Sequence, residues 1–108
     1  MDTSTHTYWL SIGRNVGAEP MSGRLWELFR HDVDTLPIIH DGAVLATVHG
    51  SSSWEGIEEE TYLVLATIPT YAVENVRTVL AALATYYRQD GIGFVGGPGT
   101  DTYVTADR

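Results

Sequence analysis

Hydrophobic periodicity along this sequence predicts an α+β sandwich: a four-stranded antiparallel sheet with two helices on one face, in the order β-α-β-β-α-β. Three observations predict it. Short stretches of alternating apolar residues lie near both ends of the chain and twice in its middle. Two longer stretches instead repeat their apolar residues with the period of a helix. Neither helix can bury its stripe alone, whereas one sheet face covers both.

The first strand is Thr7 to Ile12, with Tyr8, Leu10 and Ile12 on one face and Thr7, Trp9 and Ser11 on the other. Gly13, Arg14, Asn15, Val16 and Gly17, followed by Glu19 and Pro20, form a loop of turn residues. Ser22 is the predicted N-cap of a helix running to about Leu36, where Pro37 ends it. At about 100° per residue, Leu25, Phe29, Val33 and Leu36 share an arc of about 80°, flanked by Trp26 and Leu28. Glu27, Arg30, His31 and Asp34 lie opposite.

Ala43 to Gly50 is the second strand, with Val44, Ala46 and Val48 alternating against Leu45, Thr47 and His49. The third, Tyr62 to Ile68, is apolar on both faces and is therefore predicted to be central. The connection between them, Ser51 to Glu60, is longer than a tight hairpin requires and is expected to be partly strand around Trp54 to Ile57. After Pro69 and Thr70, a second helix from about Ala72 to Gln89 gathers Val73, Val76, Val79, Leu80, Leu83 and Tyr87 on one side. Asp90 and Gly91 are predicted to stop it. Ile92 to Val95 is the fourth strand, Gly96, Gly97, Pro98 and Gly99 turn the chain, and Thr102 to Thr105 suits a further edge strand. This order is that of the ferredoxin-like sandwich, which leaves its second sheet face open. One domain is expected over residues 1–108, with flexible ends at about 1–6 and 99–108. Leu25, Phe29, Val76, Leu80 and Leu83 are expected to pack on one sheet face, with Leu10 or with its alternating neighbours.

Composition removes several function classes. The chain has 108 residues, 44% of them hydrophobic, which is too apolar for a disordered segment. It has no cysteine, so disulfides, thiolate metal sites and a cysteine nucleophile are excluded. No apolar run approaches the roughly 20 residues of a membrane span, and Met1 to His6 is not a signal peptide, so a cytoplasmic protein is expected. The net charge is −8, and all the basic residues are arginines: Arg14, Arg24, Arg30, Arg77, Arg88 and Arg108. That balance argues against nucleic-acid binding and serves solubility or docking on a basic protein.

The densest polar cluster follows Trp54. Glu55, Glu58, Glu59 and Glu60 have the chemistry to hold a cation, or they form a solvated face that discourages edge pairing. In an extended chain Glu58 and Glu60 point to one face and Glu59 to the other, so the three do not make one site. His6, His31, His40 and His49 lack metal-ligand spacing. Ser51, Ser52 and Ser53 lack a nucleophile elbow, and Gly91 and Gly93 follow a helix with no lysine in the chain to complete a phosphate cradle. The sequence therefore predicts no catalytic residue, no cofactor and no metal. The candidate binding surface is Trp9, Arg14, Asn15, Trp54, Glu55 and Glu58. Gly50 and Gly56 allow the chain to fold back sharply around Trp54. A loop of this length usually needs an apolar anchor, so Trp54 is expected to pack on the sheet; in the alternative, its ring and Glu55 or Glu58 form a contact surface beside the open sheet face.

Ser11-Ile12-Gly13-Arg14-Asn15, the helix with Trp26 and Phe29, and the pattern G-x-x-x-W-E-G-x-x-E-E from Gly50 to Glu60 resemble a family of small bacterial and phage domains without an assigned activity. The similarity covers about residues 8 to 95. The resemblance implies the same fold and an actinobacterial phage origin, and in that case a host-cell cytoplasmic location. It carries over no catalytic residue.

The function expected is that of a non-enzymatic phage-type accessory protein that binds a host protein or a copy of itself, as a homodimer. The alternatives are a small-ligand binder or small enzyme with a pocket near Arg14, Trp54 and Glu58, and a minor virion component.

Overall fold

The computed structural model describes residues 4–98 and 102–107. In chain order the elements are β1 (Thr5–Gly13), β2 (Asn15–Val16), β3 (Glu19–Pro20), α1 (Gly23–Ile39), β4 (Ala43–Trp54), β5 (Ile57–Pro69), α2 (Val73–Tyr86), β6 (Gly91–Gly96) and β7 (Tyr103–Thr105), with a 3₁₀ turn at Thr70–Ala72 before α2. The main sheet has the order β4-β5-β1-β6-β7, and every pairing in it is antiparallel. Its first four strands are the ferredoxin-like arrangement predicted from the sequence, and β7 adds a fifth at the edge. The turn-rich segment after β1 forms a small hairpin of β2 and β3. Residues 5, 6 and 103–105, within the stretches expected to be flexible ends, take part in strand pairing. Residues 1–3, 99–101 and 108 of those ends lie outside the described residues.

The core lies between the helices and one sheet face. Tyr8, Leu10 and Ile12 of β1, Tyr62, Val64, Ala66 and Ile68 of β5, and Ile92 and Phe94 of β6 are buried there. Trp26, Phe29, Val33 and Leu36 of α1 meet them, as do Val76, Leu80 and Ala84 of α2. Of the expected core residues, Leu83 packs at the edge of the core and Leu25 lies outside it. Leu25 is 44% exposed and Leu83 is only partly buried. The buried stripe of α1 is centred on Trp26, Phe29, Val33 and Pro37, a helical phase that puts Trp26 inside it and Leu25 at its margin.

Helix ends also differ from expectation. Ser22 caps α1 as predicted, its Oγ accepting from the Leu25 N–H at 3.2 Å. Pro37 does not end α1 but lies buried inside its last turn. The Gly42 and His40 N–H groups both donate to the Pro37 carbonyl, at 2.8 and 3.1 Å, and hold that turn closed. Nor does Gly91 stop α2. Arg88 takes the left-handed conformation (φ 57°) in that role, the Arg88 N–H donating to Thr85 O and the Gln89 N–H to Ala84 O. This is the Schellman closure usually built on glycine. Gly91 opens β6 instead.

The third strand is central, as its two apolar faces require: β5 runs between β4 and β1. Its partner β4 breaks the simple alternation, because the register shifts between Val44 and Ala46. Leu45 is the extra residue of this bulge, so Val44 faces the helices while Ala46 and Val48 face the opposite side.

Candidate functional site

The sheet face away from the helices has no covering layer among the described residues. Strand parity and register place Trp9 and Ser11 of β1, Leu63 and Leu65 of β5, Val95 of β6, Tyr103 of β7 and Ala46 and Val48 of β4 on it. Trp9 pairs with Leu65 on one side and with Val95 on the other, making an apolar centre. Trp9 and Val95 are 37% and 45% exposed. An antiparallel sheet that faces water on one side normally alternates to polar residues there. This one does not.

Beside that face β4 and β5 continue as an arm. Their pairing runs from Ala43 with Thr67 to Trp54 with Ile57, whereas β1 accompanies β5 only from Pro69 to Thr61. Glu55 and Gly56 make the two-residue turn, with φ of 50° and 81°, the pair of positive values that closes a hairpin without splaying its strands. Gly50 stays in the regular ladder opposite Thr61 and is not a fold-back point. The expectation that Trp54 anchors this segment on the sheet is overturned: its residue is 76% exposed at the arm's tip. The reason is geometric, since the two strands pair with each other beyond the end of β1 and carry the indole past the core.

Arg14 and Asn15 fasten the root of the arm. The Arg14 N–H donates to Glu60 O at 3.0 Å, and its guanidinium donates through Nη1 to Glu60 Oε1 at 2.9 Å and through Nε to Met21 O at 2.8 Å. The Asn15 N–H donates to Glu59 Oε2 at 2.7 Å, and Asn15 Nδ2 donates to Glu58 O at 3.1 Å. Gln89 Nε2 closes the set by donating to Asn15 O at 3.0 Å. The glutamates thus divide by strand parity as predicted. Glu59 points to the open face, where its carboxylate lies flat over Gly13; a Cβ there would sit 2.5 Å from the carboxylate carbon.

Of the six residues singled out from the sequence, the structure brings Arg14, Asn15 and Glu58 together. Trp9 lies at the centre of the open face, and Trp54 and Glu55 lie at the tip of the arm. Sequence reasoning left Glu59 out of the candidate surface and passed over Leu65, Val95 and Tyr103. The alternation that puts Trp9 outward carries the same information for Leu65 and Val95, once the pairing is known. Burial holds the Tyr103 phenol above its ordinary value, and the charges of Asp90 and Glu59 add to that effect. Among the described residues no group of three metal-ligating side chains converges, and no helix is long and apolar enough to cross a membrane.

No protein-family model matches the sequence. No curated protein matches it either. Solved structures do. The chain is similar to a phage SAM lyase in its apo state, with 14% identity and a TM-score of 0.59 over 95% of this chain and 90% of that one. It is similar to a phage SAM lyase in complex with S-methyl-5′-thioadenosine, with 13% identity and a TM-score of 0.52 over 94% and 90%. A divalent cation tolerance protein from Thermus thermophilus matches at 13% identity and a TM-score of 0.48 over 91% and 86%. At these identities the likeness is one of fold: the ferredoxin-like architecture extends over nearly the whole chain.

Proposed function

We propose that this chain is a phage-type accessory protein that works as a self-associated assembly, copies meeting through the open sheet face and the β4–β5 arm. The observation that carries the reading is the arm. A two-stranded ribbon is barely stable by itself in water, and this one holds a tryptophan at its tip. From Thr61 to the turn the arm extends about 17–20 Å at roughly 3.4 Å per residue. That reach equals the width of three to four strands at about 4.8 Å each, enough to cross the apolar centre of a second copy. A second copy suits the face better than a charged partner: its middle is Trp9, Leu65 and Val95, which carry no charge. Light scattering coupled to gel filtration tests this. Multiples of the chain mass that collapse to the monomer in Trp9→Glu support it; a wild-type monomer at all concentrations sinks it.

A second reading is favoured by one observation, the likeness to phage SAM lyase over nearly the full chain. On this reading the protein is a small enzyme or binder for SAM or a related sulfur nucleoside, its pocket near Arg14 and Glu58 at the root of the arm. Incubation with SAM, followed by chromatography for S-methyl-5′-thioadenosine, tests it together with thermal shift by both compounds. No turnover and no shift with either compound dismisses it.

A further inference from the structure

The end of the open face next to the arm's root holds a groove of about 410 Å³, lined among others by Ser11, Gly13, Glu59, Gly91, Gly93 and Tyr103. Its size is within the range of small-molecule sites. Three of these residues are glycines on the open-face side of their strands, which lets neighbouring side chains lie directly on the backbone. The neighbouring side chains fill the space a Cβ would need: Ser11 Oγ lies against Gly93, the Tyr103 ring against Gly91 and the Glu59 carboxylate over Gly13. Glycine at three sites on adjacent strands therefore sets where Ser11, Tyr103 and Glu59 lie, and a larger residue at any of them would displace a groove wall.

Its electrostatics are one-sided. Among the described residues lining the groove, Glu59 alone carries a formal charge. Its carboxylate is held in place by the Asn15 N–H, so it cannot swing out to water without losing that bond. The one nearby cation on the same loop, Arg14, is engaged with Glu60 and Met21 on the other side of β5. Tyr103 adds the face of a half-exposed ring, and Val95 continues the wall toward Trp9. A negative group, an aromatic face and an apolar wall in one cleft are the elements that recognise an organic cation.

We propose that this groove binds a small organic cation with a flat apolar portion, its positive group against Glu59 and its apolar portion along Tyr103 and Val95. Val95 also belongs to the face through which copies are proposed to meet, so light scattering is read alongside the titration and each proposal stands on its own measurement. The test is titration of the isotope-labelled full chain with benzylamine, against benzyl alcohol and phenylacetate as the neutral and anionic counterparts, followed by backbone amide shifts. Saturable shifts are expected at Gly13, Gly91, Gly93 and Tyr103, with benzyl alcohol about tenfold weaker and phenylacetate inactive. Glu59→Gln keeps an oxygen for the Asn15 N–H and is expected to weaken benzylamine about tenfold, whereas Glu55→Gln, at the arm's tip, leaves it unchanged. Equal binding of benzylamine and benzyl alcohol overturns the proposal. So does an equal loss in both glutamine variants, which reports the overall acidity of the chain, or shifts clustered elsewhere. If Glu59→Gln does not fold, Tyr103→Leu decides: several-fold weaker benzylamine binding supports the groove, and unchanged binding overturns it.

Discussion

The Phe29 ring of α1 stacks on the Tyr87 ring just past α2, with centroids 4.3 Å apart and planes 18° from parallel. The Tyr87 hydroxyl then reaches back to donate to Asp32 Oδ2, one turn along α1, at 2.6 Å. One residue at the end of α2 thus joins the two helices by a ring contact and a hydrogen bond to the same partner helix. Trp26 meets Phe29 edge-on at 6.2 Å and extends the aromatic layer. Phe29→Ala leaves a cavity under this layer, and since Phe29 is fully buried the expected loss is about 3–5 kcal/mol. Urea unfolding of the variant checks it.

Tyr87 also predicts how stability responds to alkali. Burial raises its phenol pKa above the ordinary value of 10.0, and the bond to Asp32 raises it further. The folded state thus prefers the protonated phenol. That contribution is whole below about pH 10 and is lost as pH rises from there through the higher folded-state value. The melting temperature is expected to be insensitive to Tyr87 titration at neutral pH and to fall above about pH 10. Tyr87→Phe should make the alkaline fall shallower, while costing about 1 kcal/mol at pH 7 for the lost hydrogen bond. Melting curves of both proteins from pH 7 to about pH 11 separate these effects.

Trp54→Ala separates a contact role from a packing role. The exposed indole touches no part of the buried core, so the variant's unfolding free energy is expected to stay within about 0.5 kcal/mol of wild type. Self-association is expected to weaken at the same time. Because every copy is acidic, added salt should strengthen assembly of the wild type by screening like charges. Sedimentation velocity at low and high salt, with thermal unfolding alongside, measures both.

Gly96 and Gly17 form a contrasting pair. Gly96 has φ of 135° and faces the Thr7 carbonyl of β1, where a Cβ has no room. Gly96→Ala is expected to cost about 2–4 kcal/mol through strain and displacement of β1. Gly17 has φ of 63° but open space around it. Gly17→Ala is expected to cost about 1 kcal/mol, from the left-handed conformation alone. Parallel denaturant unfolding of the two variants checks the difference.

Local pattern by itself determined the order of the main strands and helices, the cap at Ser22 and the central place of β5. It separated Trp9 from Leu10 without saying which of them faces outward. These follow from side-chain periods of 2.0 and 3.6, which a chain carries whatever it packs against. The same parity separated Glu59 from Glu58 and Glu60. Tertiary structure decided the rest, because each remaining feature depends on where one strand stops relative to another. Trp54 reads as a loop anchor until β1 is seen to end at Gly13, which leaves β4 and β5 to run on as a ribbon. Val44, Ala46 and Val48 read as one face until the bulge at Leu45 turns the last two over. Pro37 reads as a helix stop until Gly42 and His40 supply donors that close the turn around it. The groove beside Glu59 depends on Gly13, Gly91 and Gly93 meeting on neighbouring strands. Residues 82 positions apart in sequence (11 and 93) become partners only through the antiparallel register, which forms when the whole sheet packs on its helices.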